Sequence, residues 1–174
     1  MSRILKKDEG VLVTLEDGLV RKTVIGRNHS GFRNSVSPEE MVDREIRALQ
    51  MLRGVEGIQR FVRRESADTF YSEHMEGDSL FSYRGNLGRP YFDELTSIIS
   101  QCQENNVYRI GQNMKDFLIM PSRKPGIVDF GNILFSDDSY IFSGMMAISK
   151  IYSSLRLWDL RRICTDPDRV VIES

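Results

Sequence analysis

The chain has 174 residues, 40% of them apolar and 28% charged, with 24 basic against 25 acidic side chains and a net charge of −1. That balance excludes the basic field expected of a nucleic-acid binder. No run approaches the roughly 18 apolar residues of a spanning helix, and the first ten residues lack the apolar core of a signal peptide, so the reading is a soluble cytoplasmic protein. Its two cysteines, Cys102 and Cys164, match no metal-site spacing and read as small apolar residues in a reducing compartment. The length suits one domain or two small lobes.

In chain order, residues 11–15 and 19–25 are β-prone runs flanking Asp17-Gly18, a strong hairpin signal. Residues 26–36 are polar and read as loop. Ser37-Pro38-Glu39-Glu40 is a helix start: Ser37 can cap, Pro38 suits the first turn, and the acids favour the positive helix end. This helix should reach Arg53. Residues 60–66 and 69–75 read as two more strands around Ala67-Asp68. The Arg60-Phe61-Val62-Arg63-Arg64 cluster reads as a solvated charged face. Residues 77–90 are turn-rich. Phe92, Leu95, Ile98, Ile99 and Cys102 form the apolar stripe of a second helix. An irregular stretch, residues 108–116, leads into two short apolar strands, FLIM and GIVDF, joined by the turn PSRKP. Residues 144–164 read as a helical tail ended by Asp166-Pro167. The predicted class is α+β in two parts, residues 1–76 with a sheet and one helix and 77–174 mostly helical.

Four ionisable residues stand out because they interrupt apolar patterns. Glu45 lies within the helix face made by Met41, Val42, Leu49 and Leu52, where an unpaired carboxylate would cost several kcal/mol. Lys22 shares a strand face with Val20 and Val24 and is the natural partner; Arg21 takes that place if the register slips by one. Asp129 ends an apolar strand, and Gly131 permits a sharp turn just after it. A hairpin through PSRKP would bring Asp116 to the same end, and two such carboxylates suit Mg²⁺ bound with phosphates.

Lys22, Glu45, FYSEHMEGDSL, KDFLIM and IVDFG occur in the order found in the protein-kinase-like superfamily. The chain resembles a small, atypical bacterial member, most similar to the lipopolysaccharide core-sugar (Kdo and heptose) kinases and the RIO-type kinases. The 13 residues from Asp116 to Asp129 equal that family's usual spacing between the second metal ligand and the Asp of DFG. The resemblance implies a two-lobed fold with an antiparallel-sheet N-lobe and a truncated helical C-lobe. It implies ATP and Mg²⁺ as cofactors and a nucleotide as partner. Lys22 would hold the α and β phosphates and pair with Glu45; Asp116 and Asp129 would bind the metal. Residues Ser72 to Met75 would be the hinge, where the carbonyl of Glu73 and the backbone of Met75 would face adenine. His74 would be an exposed hinge residue.

Two departures stand beside the resemblance. The stretch before Lys22, KKDEGVLV, has one glycine where such kinases carry a glycine-rich loop. Five residues before Asp116, where the general base belongs, stands Gly111. Losing a positioned base typically costs about 10²- to 10⁴-fold. Gln112 or Asn113 could orient a hydroxyl by hydrogen bonding, Lys115 could help neutralise the transferred phosphoryl group, and Asp116 could double as base if only one metal binds. The expected activity is phosphoryl transfer to a small-molecule, sugar or protein hydroxyl; the alternative is a pseudokinase acting as a nucleotide-binding or regulatory module. With about 40 residues after DFG, either the acceptor is small or a partner subunit completes the site.

Overall fold

A computed structural model describes residues 2–7, 10–26, 36–108, 114–131 and 133–138. These residues form a mixed α+β structure with antiparallel sheets and two α-helices. They divide into two compact units. The first holds the residues up to Gly54 together with Ile58–Met75; the second holds Val55–Gly57 and the residues from Glu76 onward.

In the first unit, β1 (Arg3–Lys7), β2 (Val11–Glu16), β3 (Leu19–Val24), β4 (Phe61–Arg64) and β5 (Thr69–Glu73) form one antiparallel sheet in the order β1-β2-β3-β5-β4. The turn between β2 and β3 places Asp17 at φ 49° and Gly18 at φ 80°. Two positive φ values in a two-residue loop match the right-handed twist of the flanking strands, which is why Asp-Gly marks it. Helix α1 (Pro38–Met51) connects β3 to β4 in sequence. Its first turn is capped by Ser37, whose hydroxyl accepts the Glu40 N–H at 3.1 Å, a contact worth about 1 kcal/mol. The helix packs on β3, β4 and β5 and buries Met41, Val42, Ile46, Ala48 and Leu49.

The arginine cluster at 60–64 is largely paired. Arg64 bonds Asp43, Arg63 lies 3.9 Å above the Tyr71 ring, and Arg60 approaches Glu73 at 3.9 Å.

In the second unit, α2 (Arg89–Glu104) buries Tyr91, Phe92, Leu95, Ile98, Ile99 and Cys102. Strands β8 (Phe117–Ile119) and β9 (Pro125–Ile127) form the expected hairpin, and β6 (Asp78–Ser79) adds to β8. A second pair joins β7 (Val107–Tyr108) to β10 (Leu134–Phe135). Strand β6 lies in turn-rich sequence, β7 where the second helix segment meets the irregular stretch, and β10 in the short apolar run 133–135; two residues carry no periodicity, so none of the three reads as a strand. Strand β1 was likewise without a sequence signal. The turn-rich stretch before α2 includes Gly88, which caps that helix without a side-chain hydrogen bond. The tail at residues 144–164, Cys164, and Gly111 to Asn113 lie outside the described residues.

The segment Val55–Gly57 belongs with the second unit for a local reason. Gly57 accepts the Ile127 N–H at 2.8 Å, and Glu56 pairs with Lys124 at 2.8 Å. Gly57 has φ 85°, and a Cβ there would lie 2.9 Å from the Pro125 carbonyl oxygen and 2.7 Å from Ile98 Cδ1. Gly18 has a similar φ but open space around it. Gly18→Ala should therefore cost about 1–2 kcal/mol from backbone conformation alone. Gly57→Ala should cost clearly more, because a backbone oxygen must also move. Urea denaturation of the two variants checks the order.

Candidate functional site

Strand β3 shows a strict alternation. Val20, Lys22 and Val24 are buried, whereas Leu19, Arg21 and Thr23 are half-buried. Lys22 is 7% exposed and Glu45 3%. The Lys22 ammonium lies 2.8 Å from Glu45 Oε1 and 2.7 Å from Oε2, so both carboxylate oxygens face the one cation. Across the ladder, Lys22 stands between Val13 of β2 and Phe70 of β5. Apolar neighbours on both sides keep water from weakening the pair.

Arg21 occupies the opposite face. Its Nε donates to Glu65 at 2.8 Å. That bond holds the Glu65 carboxyl below its usual range and raises the Arg21 guanidinium. Tyr71, paired with Arg21 across the ladder, bridges Glu16 and Glu65 with its hydroxyl at 3.1 and 3.2 Å. Burial first, and then these carboxylates, push the phenol up from its ordinary value. The lysine, not the arginine, is thus the cation that meets helix α1.

In the second unit, Phe117 pairs with Ile127, and the Val128 N–H donates to the Asp116 carbonyl at 2.9 Å. Asp116 and Asp129 therefore stand at the same end of the β8–β9 hairpin, both half-buried. The strand itself ends at Ile127, two residues before Asp129, where the sequence pattern puts its end. Asp129 then adopts φ 64°. A left-handed aspartate is uncommon and carries a modest backbone cost. Its Oδ1 accepts the Gly131 N–H at 3.4 Å, and Phe130 between them is 1% exposed. Lys115, one residue before Asp116, is exposed with its ammonium 5.0 Å from the Phe81 ring centre.

The proposed hinge residues show a feature the sequence did not signal. The Glu73 N–H donates to the Arg60 carbonyl at 2.8 Å, and the Glu73 carbonyl accepts from Gln59 Nε2 at 3.1 Å. Gln59 is buried, so this contact occupies one of the two lone pairs on the Glu73 oxygen. His74 is exposed and Met75 half-buried. Nothing in the spacing around Gln59 distinguishes it from a surface glutamine, because its partner is remote in sequence.

Among the described residues no group of three or more His, Cys, Asp or Glu side chains is arranged to hold a metal ion. Comparison of the chain with models of known protein families finds no match, and comparison with curated proteins finds none either.

Cys102 packs as a small apolar residue, and burial in the α2 core pushes its thiol up to about 12. An unfolded thiol ionises near 8.5. This residue therefore contributes no pH dependence below about pH 8 and loses stability for the fold between there and about pH 12. Iodoacetamide should label it in the native protein far more slowly than in urea.

For the Lys22–Glu45 pair, removing one member leaves a buried charge alone. Lys22→Met or Glu45→Leu should each cost about 3–5 kcal/mol, whereas the double variant should recover more than half of that loss. Denaturant titration of the four proteins measures the coupling.

Proposed function

We propose that the protein is a kinase-like, ATP- and Mg²⁺-dependent phosphotransferase acting on a small-molecule, sugar or protein hydroxyl, with a catalytic loop altered at Gly111. The observation that carries this reading is the buried Lys22–Glu45 pair. A buried ion pair is a poor device for stability, since apolar residues of similar volume often serve equally well. It is a good device for holding an ammonium still, and a lysine that must meet phosphate oxygens needs that. An antiparallel sheet with one helix is also what the kinase resemblance implies for the first lobe.

Asp129 supports the reading from the second unit. Unusual backbone conformations persist where the surroundings enforce them, and they concentrate at functional sites. Asp116 and Asp129 supply hard oxygen donors at one end of a hairpin. Two carboxylates without a third ligand suit Mg²⁺, which keeps several waters and takes phosphate oxygens rather than a closed protein cage. When bound, the metal supplies charge neutralisation at the phosphates. Lys22 contacts the α and β phosphates, Glu45 fixes Lys22, and Met75, with the remaining lone pair of Glu73, meets the base.

Gly111 favours a second reading, a pseudokinase that binds nucleotide and acts as a regulatory or interaction module. Glycine can neither orient nor deprotonate an attacking hydroxyl. Phosphoryl transfer draws mostly on positioning and electrostatics, so loss of the base slows it without removing its other sources. Release of the γ-phosphate from labelled ATP, against Asp129→Ala as control, separates the two readings.

Nucleotide binding itself is tested by thermal unfolding. At about 100 times Kd, Mg·ATP should stabilise the fold by roughly 2.7 kcal/mol, seen as a rise of several degrees. Asp129→Gly should remain within about 1 kcal/mol of the parent without ligand, because glycine adopts positive φ at no steric cost. It should lose the magnesium-dependent part of the rise. A parent protein that shows no shift with Mg·ATP would overturn the proposal.

A further inference from the structure

The chain lacks the glycine-rich stretch whose backbone amides would cover a nucleotide's phosphates. The register of the first sheet shows what stands nearby. Lys6 of β1 pairs with Val13 of β2, and Val13 pairs with Lys22 of β3. Directly opposed residues in an antiparallel ladder share a face. Lys6, Val13 and Lys22 therefore form one cross-strand row, on the face that meets Glu45 of α1. The backbones of the two lysines are two strand spacings apart, roughly 10 Å.

Lys6 reaches this face through an irregularity. Arg3 pairs with Leu15 and Ile4 with Thr14, but the next pair is Lys6 with Val13, so Leu5 is an extra residue in β1. In a regular ladder Leu5 would oppose Val13, and Lys6 would point to the other side. The bulge exchanges an apolar side chain for an ammonium at that place in the row. Bulges re-aim side chains in this way and are over-represented beside active sites. A lysine on an edge strand also guards against strand pairing, but that duty is served on either face and needs no bulge. Lys7, the next residue, pairs with Leu12 on the opposite face and meets the edge-guarding role by itself.

Resting on the kinase-like reading above, we propose that Lys6 is a phosphate-binding residue that acts with Lys22 as a two-cation clamp on the polyphosphate of the nucleotide, in place of the missing backbone amides. All five residues of β1 are exposed, and the register puts Lys6 on the face that Val13 and Lys22 share. Lys22 is held by Glu45 within the sheet, and Lys6 stands on the edge strand of the same face. Lysine suits this use as a compact, mobile point charge. Half-buried Val13 and Leu15 lie on the same face and supply the apolar surface beside the two cations.

The test uses the full chain and isothermal titration with three probes: Mg·ATP, adenosine and inorganic tripolyphosphate. Lys6→Ala should weaken Mg·ATP and tripolyphosphate about tenfold, the size of one lost charge-assisted contact, and leave adenosine within about twofold. Lys6→Arg should recover most of the loss. Lys7→Ala removes the same charge one residue away and should leave all three probes within about twofold. If the parent binds Mg·ATP but Lys6→Ala does not differ from it, or if Lys6→Ala and Lys7→Ala weaken binding equally, the clamp is overturned and the kinase-like reading stands. If the parent binds neither Mg·ATP nor adenosine, both fall together.

Discussion

The first unit is organised around the placement of one ammonium and one carboxylate in an apolar interior. Taking either charge out of water costs several kcal/mol, and only close, two-oxygen contact compensates it. That requirement ties the register of β3 to the rotation of α1. A one-residue slip of β3 would turn Lys22 to the far face and bring Arg21 in its place. A turn of α1 by one residue would carry Glu45 away by about 100°. The Asp17-Gly18 turn sets the first of these, and the Ser37 cap with the apolar face of Met41, Val42, Ile46 and Leu49 sets the second. Each large apolar side chain contributes roughly 1.5–3 kcal/mol on burial. The apolar face therefore holds the helix down and sets its rotation, and the ion pair forms only in that setting.

The same face of the sheet changes character from strand to strand. Beside α1 it is apolar and covered, with Phe70 and Val24 almost fully buried. Toward β1 it becomes half-exposed and then cationic, through Val13 and Leu15 to Lys6 and Arg3. The opposite face is different in kind. There Thr14, Glu16, Arg21, Glu65 and Tyr71 are engaged with one another in a hydrogen-bonded network, which satisfies their charges internally.

The second unit uses a different economy. The β8–β9 hairpin is short, and its strands stop where the ladder reaches Asp116 and Val128. Beyond that point Asp129 takes a left-handed conformation while Phe130 is driven into the core. Burial of a phenylalanine amply offsets the cost of one unusual φ, roughly 1–2 kcal/mol. The positive φ falls on Asp129 and not on Gly131, and burial of Phe130 explains how the chain can turn sharply at a carboxylate. It does not explain why the residue at the turn is an aspartate rather than a glycine, and metal binding supplies that reason in the proposed function.

By itself the sequence determined the hairpin at Asp17-Gly18, both helices, the strands β4 and β5, the β8–β9 pair and the need of Glu45 for a cation from β3, with Lys22 or Arg21 as the partner. Each rests on local chemistry or on a period: a turn that needs positive φ, a cap, an apolar stripe, and two charges that break apolar patterns and so demand one another. Only the tertiary structure decided the rest. Strand β1 and the two-residue strands exist because partners distant in sequence supply their hydrogen bonds. Gln59 acquires its role from a carbonyl fourteen residues away. The bulge at Leu5 puts Lys6 on the same sheet face as Lys22, and the register that creates it belongs to the ladder between β1 and β2, which no periodicity within five residues can express.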